Sequence, residues 1–420
     1  MTDSQQKFPL NFHRLSLNRR REILENCFDN KFSMNSLGDK ESVSLADVLV
    51  ENAVGVVPIP FALATGFRID SEDFIVPFAT EEASVVAAAS FAAKLLSLEE
   101  GIMTSAGEAI STVQVFIEGA NKNSKDLISK SESEIQLLAN DSIKSLVSRG
   151  GGYRSFSIVE MPEIKVLKVE INVGVCDAMG ANKVNTVGAN LKNFLEKLTN
   201  GYVLMSIVNN ASTGSLVYAS GKVQISKLKT SFYSGDQVAN RIVRAVEVAN
   251  FDIGRAVTHN KGILNGISAL ALATGNDTRA IEAAAHGWAA KNGHYKSLTK
   301  YEVKGDILHA EIECPLPLGV VGGAIDLAPV SSLSLQVLGN PSSRRLASIA
   351  AAVGLAQNLA ALRALVSEGI QKGHMRLHAK RLAFVAGARG KDLKIVSEKL
   401  ALEKKIDITT AQEILRSMED

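Results

Sequence analysis

Between residues 110 and 212 the apolar side chains switch repeatedly between the two-residue repeat of a strand and the helical repeat of about 3.6 residues. STVQVFIE (111–118) alternates as a strand, and residues 121–149 carry a helical period. After Gly150, Gly151 and Gly152 come two further strands, RSFSIVEM and KVLKVEINVGV. ANKVNTVGANLKNFLEKLTN is helical and GYVLMSIVN closes the series as a strand. The order β-α-β-β-α-β is that of the split-βαβ, ferredoxin-like unit. Few topologies satisfy it, because crossovers between parallel strands are right-handed and connections stay short. The segment is therefore expected to fold as a small unit of its own, inserted into a larger one.

The flanking sequence is mixed α/β. Residues 13–28 predict a basic helix N-capped by Ser16, with Asn18 as the alternative cap. A second helix is expected from Ser44, followed by chain that Pro58 and Pro60 keep extended. DFIVPFATEEASVVAAASFAAKLL reads as strand, turn and alanine-rich helix. Beyond the insert come the strand LVYASGKVQIS, a helix from Gln237 to Phe251, the strand pair YEVKGDILHAEIECPL and a long small-residue helix over 346–369. The last fifty or so residues are basic first and helical later, as in a small mobile tail. The expected organisation is 1–109 plus 213–369 as one discontinuous domain, 110–212 as the insert and 370–420 as a C-terminal flap. A length of 420 residues suits two or three domains.

Composition excludes several functions. Lys and Arg number 46 against 44 Asp and Glu, so a nucleic-acid binder is not expected. Three scattered cysteines, Cys27, Cys176 and Cys314, suit neither a disulfide framework nor a cysteine-rich metal site. No apolar run approaches the roughly 18 residues of a membrane helix, so a soluble cytoplasmic protein is expected. The glycine fingerprint of dinucleotide folds, the Walker spacing and the serine-hydrolase and zinc-protease motifs do not occur.

What stands out instead are dense clusters of Gly, Asn, Asp and His. DAMGAN (177–182) lies at a strand-to-helix junction, where free helix N–H groups suit an anion or Asp177 or Asn182 serves as a cap. THNKGILNG (258–266) and TGNDTRAIEAAAHG (274–287) bring Lys261 and Asp277 into adjacent segments. PLPLGVVGGAID (315–326) offers Gly322 and Gly323, where backbone can approach a ligand.

These clusters, with ENAVG (51–55), PFATEEASVVAAAS (77–90), ATGND (273–277), GLAQNLAALRAL (354–365) and EGIQKGHM (368–375), occur in one order across nearly the whole chain. Together they resemble the soluble class II 3-hydroxy-3-methylglutaryl-CoA (HMG-CoA) reductases. The resemblance implies an α/β (α+β) fold: a large mixed domain, an inserted non-Rossmann cofactor domain and a helical flap. It also implies a homodimer with interfacial active sites, and a trimer of such dimers. The implied reaction reduces a CoA thioester to an alcohol, mevalonate, with two NAD(P)H and without a metal.

By the same matching, Lys261 stabilises the oxyanion that each hydride delivery creates. Glu82, and not Glu81 beside it, donates a proton, a task for which burial would raise a carboxyl. Asp277 hydrogen-bonds and tunes that pair, and His374 protonates the departing thiolate, with His378 the weaker candidate. Ser84, Arg255 and Asn265 hold the substrate's carboxylate and hydroxyl, and Gln357 meets the CoA moiety with the basic segment Arg14 and Arg19–Arg21. Asp177, Met179, Gly180, Asn182 and Asn210 line the cofactor site. Where NAD-preferring relatives carry an acid, this chain has Ile143 and Lys144, which implies NADPH preference or dual use. Two alternatives remain: a thiolase-like enzyme with a cysteine nucleophile, and a CoA-binding relative without activity.

Overall fold

The computed structural model describes residues 11–27, 34–211, 213–323, 325–367, 369–403 and 405–418. Helices α1 (Leu17–Cys27) and α2 (Lys40–Leu49) lead into the antiparallel hairpin β1 (Phe61–Ile69) and β2 (Glu72–Ala79). Helix α3 (Val85–Leu95) and strand β3 (Met103–Ala106) follow. Ser16 caps α1 through the Arg19 N–H, whereas α2 starts four residues before the expected Ser44, because Asp39 accepts from the Ser42 N–H.

The inserted segment consists of β4 (Ile110–Glu118), helices α4 (Ser124–Lys130), α5 (Glu132–Ser142) and α6 (Lys144–Val147), strands β5 (Gly152–Met161) and β6 (Val166–Gly174), α7 (Ala181–Thr199) and β7 (Tyr202–Val208). Its sheet runs β5-β6-β4-β7, all neighbours antiparallel, the strand order of a ferredoxin-like unit. Val113, Val115, Ile117, Ile171, Val187 and Leu191 are fully buried in a core separate from that of the flanking chain.

The larger part continues with β8 (Leu216–Gln224), α8 (Gly235–Phe251), α9 (Ile253–Ala273), α10 (Thr278–Ala289), β9 (Thr299–Lys304), β10 (Ile307–Pro315), α11 (Pro329–Val337) and α12 (Ser343–Val366). Its second sheet has the order β3-β8-β10-β9. Helices α9 and α12 cross closely at glycine. A Cβ on Gly354 would lie 2.7 Å from the Ile267 side chain, and one on Gly266 2.9 Å from Val353. That approach brings Gln357 against Gly266. The chain ends in α13 (Ile370–Val385), α14 (Gly390–Leu400) and α15 (Ile408–Arg416), which share a third small core around Ala379, Ala383, Val396 and Leu400.

One expectation is corrected here. Helix α12 is long and apolar enough to cross a membrane, yet 72% of its apolar window is buried inside the protein. It is the central core helix, and its hydrophobicity answers protein neighbours. No other described helix is both long and apolar enough to cross a membrane.

Candidate active site

A cavity of about 400 Å³ opens between the N-terminus of α3, the outer stripe of α9 and the second half of α12. Arg255, Thr258, Gly262 and Asn265 recur at helical spacing on α9, so one face of that helix lines it. Glu82 and Ser84 come from the turn between β2 and α3, and Gln357 and Asn358 from α12. The Glu82 N–H bonds the Thr80 hydroxyl, and Ser84 holds a left-handed φ of 76°, a conformation few side chains adopt. The turn is thereby fixed with Glu82 at the mouth.

Lys261 Nζ lies 3.1 Å from Glu82 Oε2, a contact between residues 179 positions apart. Of the two adjacent glutamates the fold brings Glu82 to the lysine. Both groups remain wet, with side chains 41% (Glu82) and 60% (Lys261) exposed, so the chain by itself does not supply the expected burial of Glu82. Arg255 lines the same cavity, and among the described residues its guanidinium has no hydrogen-bond or ion-pair partner. Gln357 is buried, and its Oε1 likewise has no protein partner. Ser84 and Asn265 complete the polar lining.

Asp277 stands differently from expectation. Its carboxylate caps α10, accepting from the Arg279 and Ala280 N–H groups, and pairs with the Arg279 side chain. Burial pushes its pKa up, but the Arg279 side chain and the helix N–H groups outweigh burial and hold it below the ordinary carboxylate value. Among the described residues it makes no bond to Lys261 or Glu82. Its neighbour Thr278 does reach the pair's surroundings, lining a crevice of about 200 Å³ with Glu82 and Asn265. Asn276 ties the segment down by exchanging two hydrogen bonds with the Gly319 backbone, just before Gly322 and Gly323. The backbone at position 374 belongs to α13, but the His374 side chain lies outside the described residues. His378 is exposed on the same helix.

His259 was passed over in the sequence. Only 3% exposed, it contributes to the cavity lining, with Nε2 within hydrogen-bond distance of Thr299, Ser297 and Asn358. Burial, reinforced by the Arg255 charge, pushes its pKa down to about 4, so the ring is neutral. The signal was present in THNKG, but a buried histidine beside a lysine is indistinguishable from a surface one without the fold.

In the inserted unit, α7 begins at Gly180 with φ 92° and no side-chain cap, leaving N–H groups open at its N-terminus. Met179 and Asn210 border one narrow crevice there with Pro317, and Asn182 is exposed in the first turn. Asp177 is partly committed, since its Oδ1 accepts from Ser343 N at the start of α12. Ile143 requires correction: it is 2% exposed, packed in the core at the break between α5 and α6, and cannot face a ligand. Lys144 is exposed and pairs with Asp141, an acid one helical turn before it. The N-terminal arginines are also engaged: Arg20 is buried against Asp47, Arg19 pairs with Glu22, and Arg21 donates to the Val54 carbonyl.

The family model for hydroxymethylglutaryl-coenzyme A reductase matches residues 16–379. A protein of Archaeoglobus fulgidus named 3-hydroxy-3-methylglutaryl-coenzyme A reductase is 42% identical over 382 residues, 90% of this chain and 86% of its own. A Borreliella burgdorferi protein named as a probable reductase of the same kind is 35% identical over 84% of this chain and 82% of its own. The solved structure of the class II enzyme from Streptococcus pneumoniae, described as bound to NADPH in open conformations, aligns with TM-score 0.76 and 38% identity. The alignment covers 97% of this chain and 100% of that one.

Proposed function

The chain belongs to the hydroxymethylglutaryl-coenzyme A reductase family, and from that premise we propose how its cavity reduces HMG-CoA to mevalonate and free CoA. The observation that carries the reading is the Lys261–Glu82 contact at the mouth of a cavity that also holds the unpaired Arg255 guanidinium. Two hydrides and two protons convert a thioester to an alcohol and a thiol, and a nicotinamide cofactor supplies the hydrides. Each addition places negative charge on the former carbonyl oxygen, beside which the Lys261 ammonium stands as fixed countercharge. Glu82, hydrogen-bonded to that ammonium, passes a proton to the same oxygen, a reading supported by their 3.1 Å contact. Substrate and flap must then exclude the water that still reaches both groups.

Arg255 is the fork for the substrate carboxylate, with Ser84 and Asn265 on its hydroxyl. The orphaned Gln357 Oε1 suits an amide N–H of the pantetheine arm. His374, carried on α13, is the acid for the departing thiolate. Asp277 acts from the second rank, holding the α10 terminus beside the pair. The open N-terminus of α7, with Met179, Gly180, Asn182 and Asn210 around it, suits the cofactor's phosphates. NADPH preference, or dual use, rests on Lys144, whose ammonium is available to a 2′-phosphate once it leaves Asp141. We take the three separate cores as a split substrate unit, a cofactor unit and a flap. We further propose a soluble cytoplasmic enzyme acting as a homodimer or a trimer of dimers. The test is HMG-CoA-dependent loss of nicotinamide absorbance with mevalonate identified as product; absence of turnover by the purified full chain would refute it.

The cysteine-nucleophile alternative loses its support among the described thiols. Cys314 is buried, and burial, with the Glu313 charge, pushes its thiol up to about 12. Cys176 lies in the inserted unit and does not line the cavity.

A further inference from the structure

One flap contact has no part in the chemistry above. Arg381 lies on α13, and its Nη2 donates to the main-chain carbonyl of Glu81 at 3.2 Å. Glu81 immediately precedes Glu82, the carboxylate that meets Lys261. The contact therefore joins the flap to the turn that carries the candidate acid.

Its leverage follows from how the flap is attached. Helices α13, α14 and α15 pack on one another around their own small core. The chain enters them through Ser367 and Gly369, which line the cavity rim. Gly369 holds φ 79° and ψ 152°, a conformation open to glycine and costly for other residues. Among the described residues, α13 is tied to the larger part at the glycine junction and through Arg381. Position 374 lies between them, seven residues before Arg381, or about 10 Å along the helix axis. A rotation about the junction moves position 374 unless the Arg381 contact opposes it. The bond is exposed to water, which competes for both partners, so its net strength is modest and it can be made and broken within a turnover.

We propose that Arg381 is a positioning residue: by gripping the Glu81 carbonyl it sets the flap helix in register with the Glu82 turn, and so places position 374 for the step in which the carbon–sulfur bond breaks. This rests on the reductase reading, and two half-reactions separate the two ideas. Reduction of HMG-CoA includes departure of the thiolate; reduction of the free aldehyde intermediate does not. Full-length Arg381→Ala should lower kcat for HMG-CoA about tenfold, the scale of a small misplacement of a reacting group. It should leave KM for NADPH unchanged, change aldehyde reduction by less than about twofold, and leave the melting temperature as in the parent because the side chain is exposed. Arg381→Lys, which keeps a cationic donor, should recover a large part of the loss. Equal losses in both half-reactions, or none in HMG-CoA reduction, would overturn the role of Arg381. A parent protein inactive in both half-reactions would instead overturn the reductase reading.

Discussion

Arg255 and His259 sit one helical turn apart on α9, and burial together with the Arg255 charge keeps the histidine neutral. Arg255 is free to take a carboxylate, and its charge helps to keep His259 neutral. Arg255→Lys keeps the charge but loses the planar fork, and should raise KM for HMG-CoA at least about tenfold while changing kcat less, consistent with a bidentate contact. His259 carries a pH signature. Its folded pKa of about 4 lies below the 6.5 of the free side chain, so the unfolded chain takes up the proton first as pH falls. Its stabilisation is complete above pH 6.5 and is lost progressively down to pH 4, a decrease on the order of 3 kcal/mol. Thermal melting across that range should show the decline, and His259→Asn should flatten it; an identical slope in the variant would contradict the assignment. The roles of Glu82 and Lys261 came from resemblance, because residues so far apart in sequence carry no local mark of meeting. Asp277 was expected at the Lys261–Glu82 pair, and its part as the cap of α10 was not legible in the sequence.

At the scale of elements, the ferredoxin-like order was readable because its strands and helices differ cleanly in period, with glycines at Gly150–Gly152 to separate them. Three features were not readable. The helical stretch over 121–149 is three helices, broken at Ser131 and Ile143 without any Gly or Pro, so only packing on the sheet reveals the breaks. Strand β1 hides its alternation behind a bulge between Ala64 and Phe67, which shifts the pattern by a residue. The burial of Ile143 was invisible because its neighbours read as an exposed helix, and of the two positions only Lys144 is exposed to a ligand. Lys144→Glu should raise KM for NADPH about tenfold or more and affect NADH much less; equal effects on both would remove Lys144 from recognition. The α9–α12 crossing gives a further expectation. Gly354→Ala gains up to about 1 kcal/mol of helix propensity but must displace Ile263 and Ile267, at a cost of about 1–3 kcal/mol. The expected net is a loss of about 1 kcal/mol in denaturant unfolding; a more stable variant would show that the two isoleucines yield easily.

Across the whole molecule, a near-neutral chain divides its apolar side chains among three separate cores. The large core fixes α9 and α12 and with them the cavity floor. The inserted segment presents an uncapped helix, and the three C-terminal helices follow a glycine junction beside the rim. In the N-terminal basic cluster, Arg20 is buried against Asp47 and helps to hold the fold together. The central claim is that the Lys261–Glu82 pair performs thioester reduction in this cavity. It is tested most directly by steady-state oxidation of NADPH with HMG-CoA, with mevalonate identified as product, for the parent protein and Lys261→Ala side by side. The account predicts turnover by the parent and a fall in kcat of about 100- to 1,000-fold in the variant with its fold intact. A parent that does not turn over, or a variant that retains its rate, would contradict it.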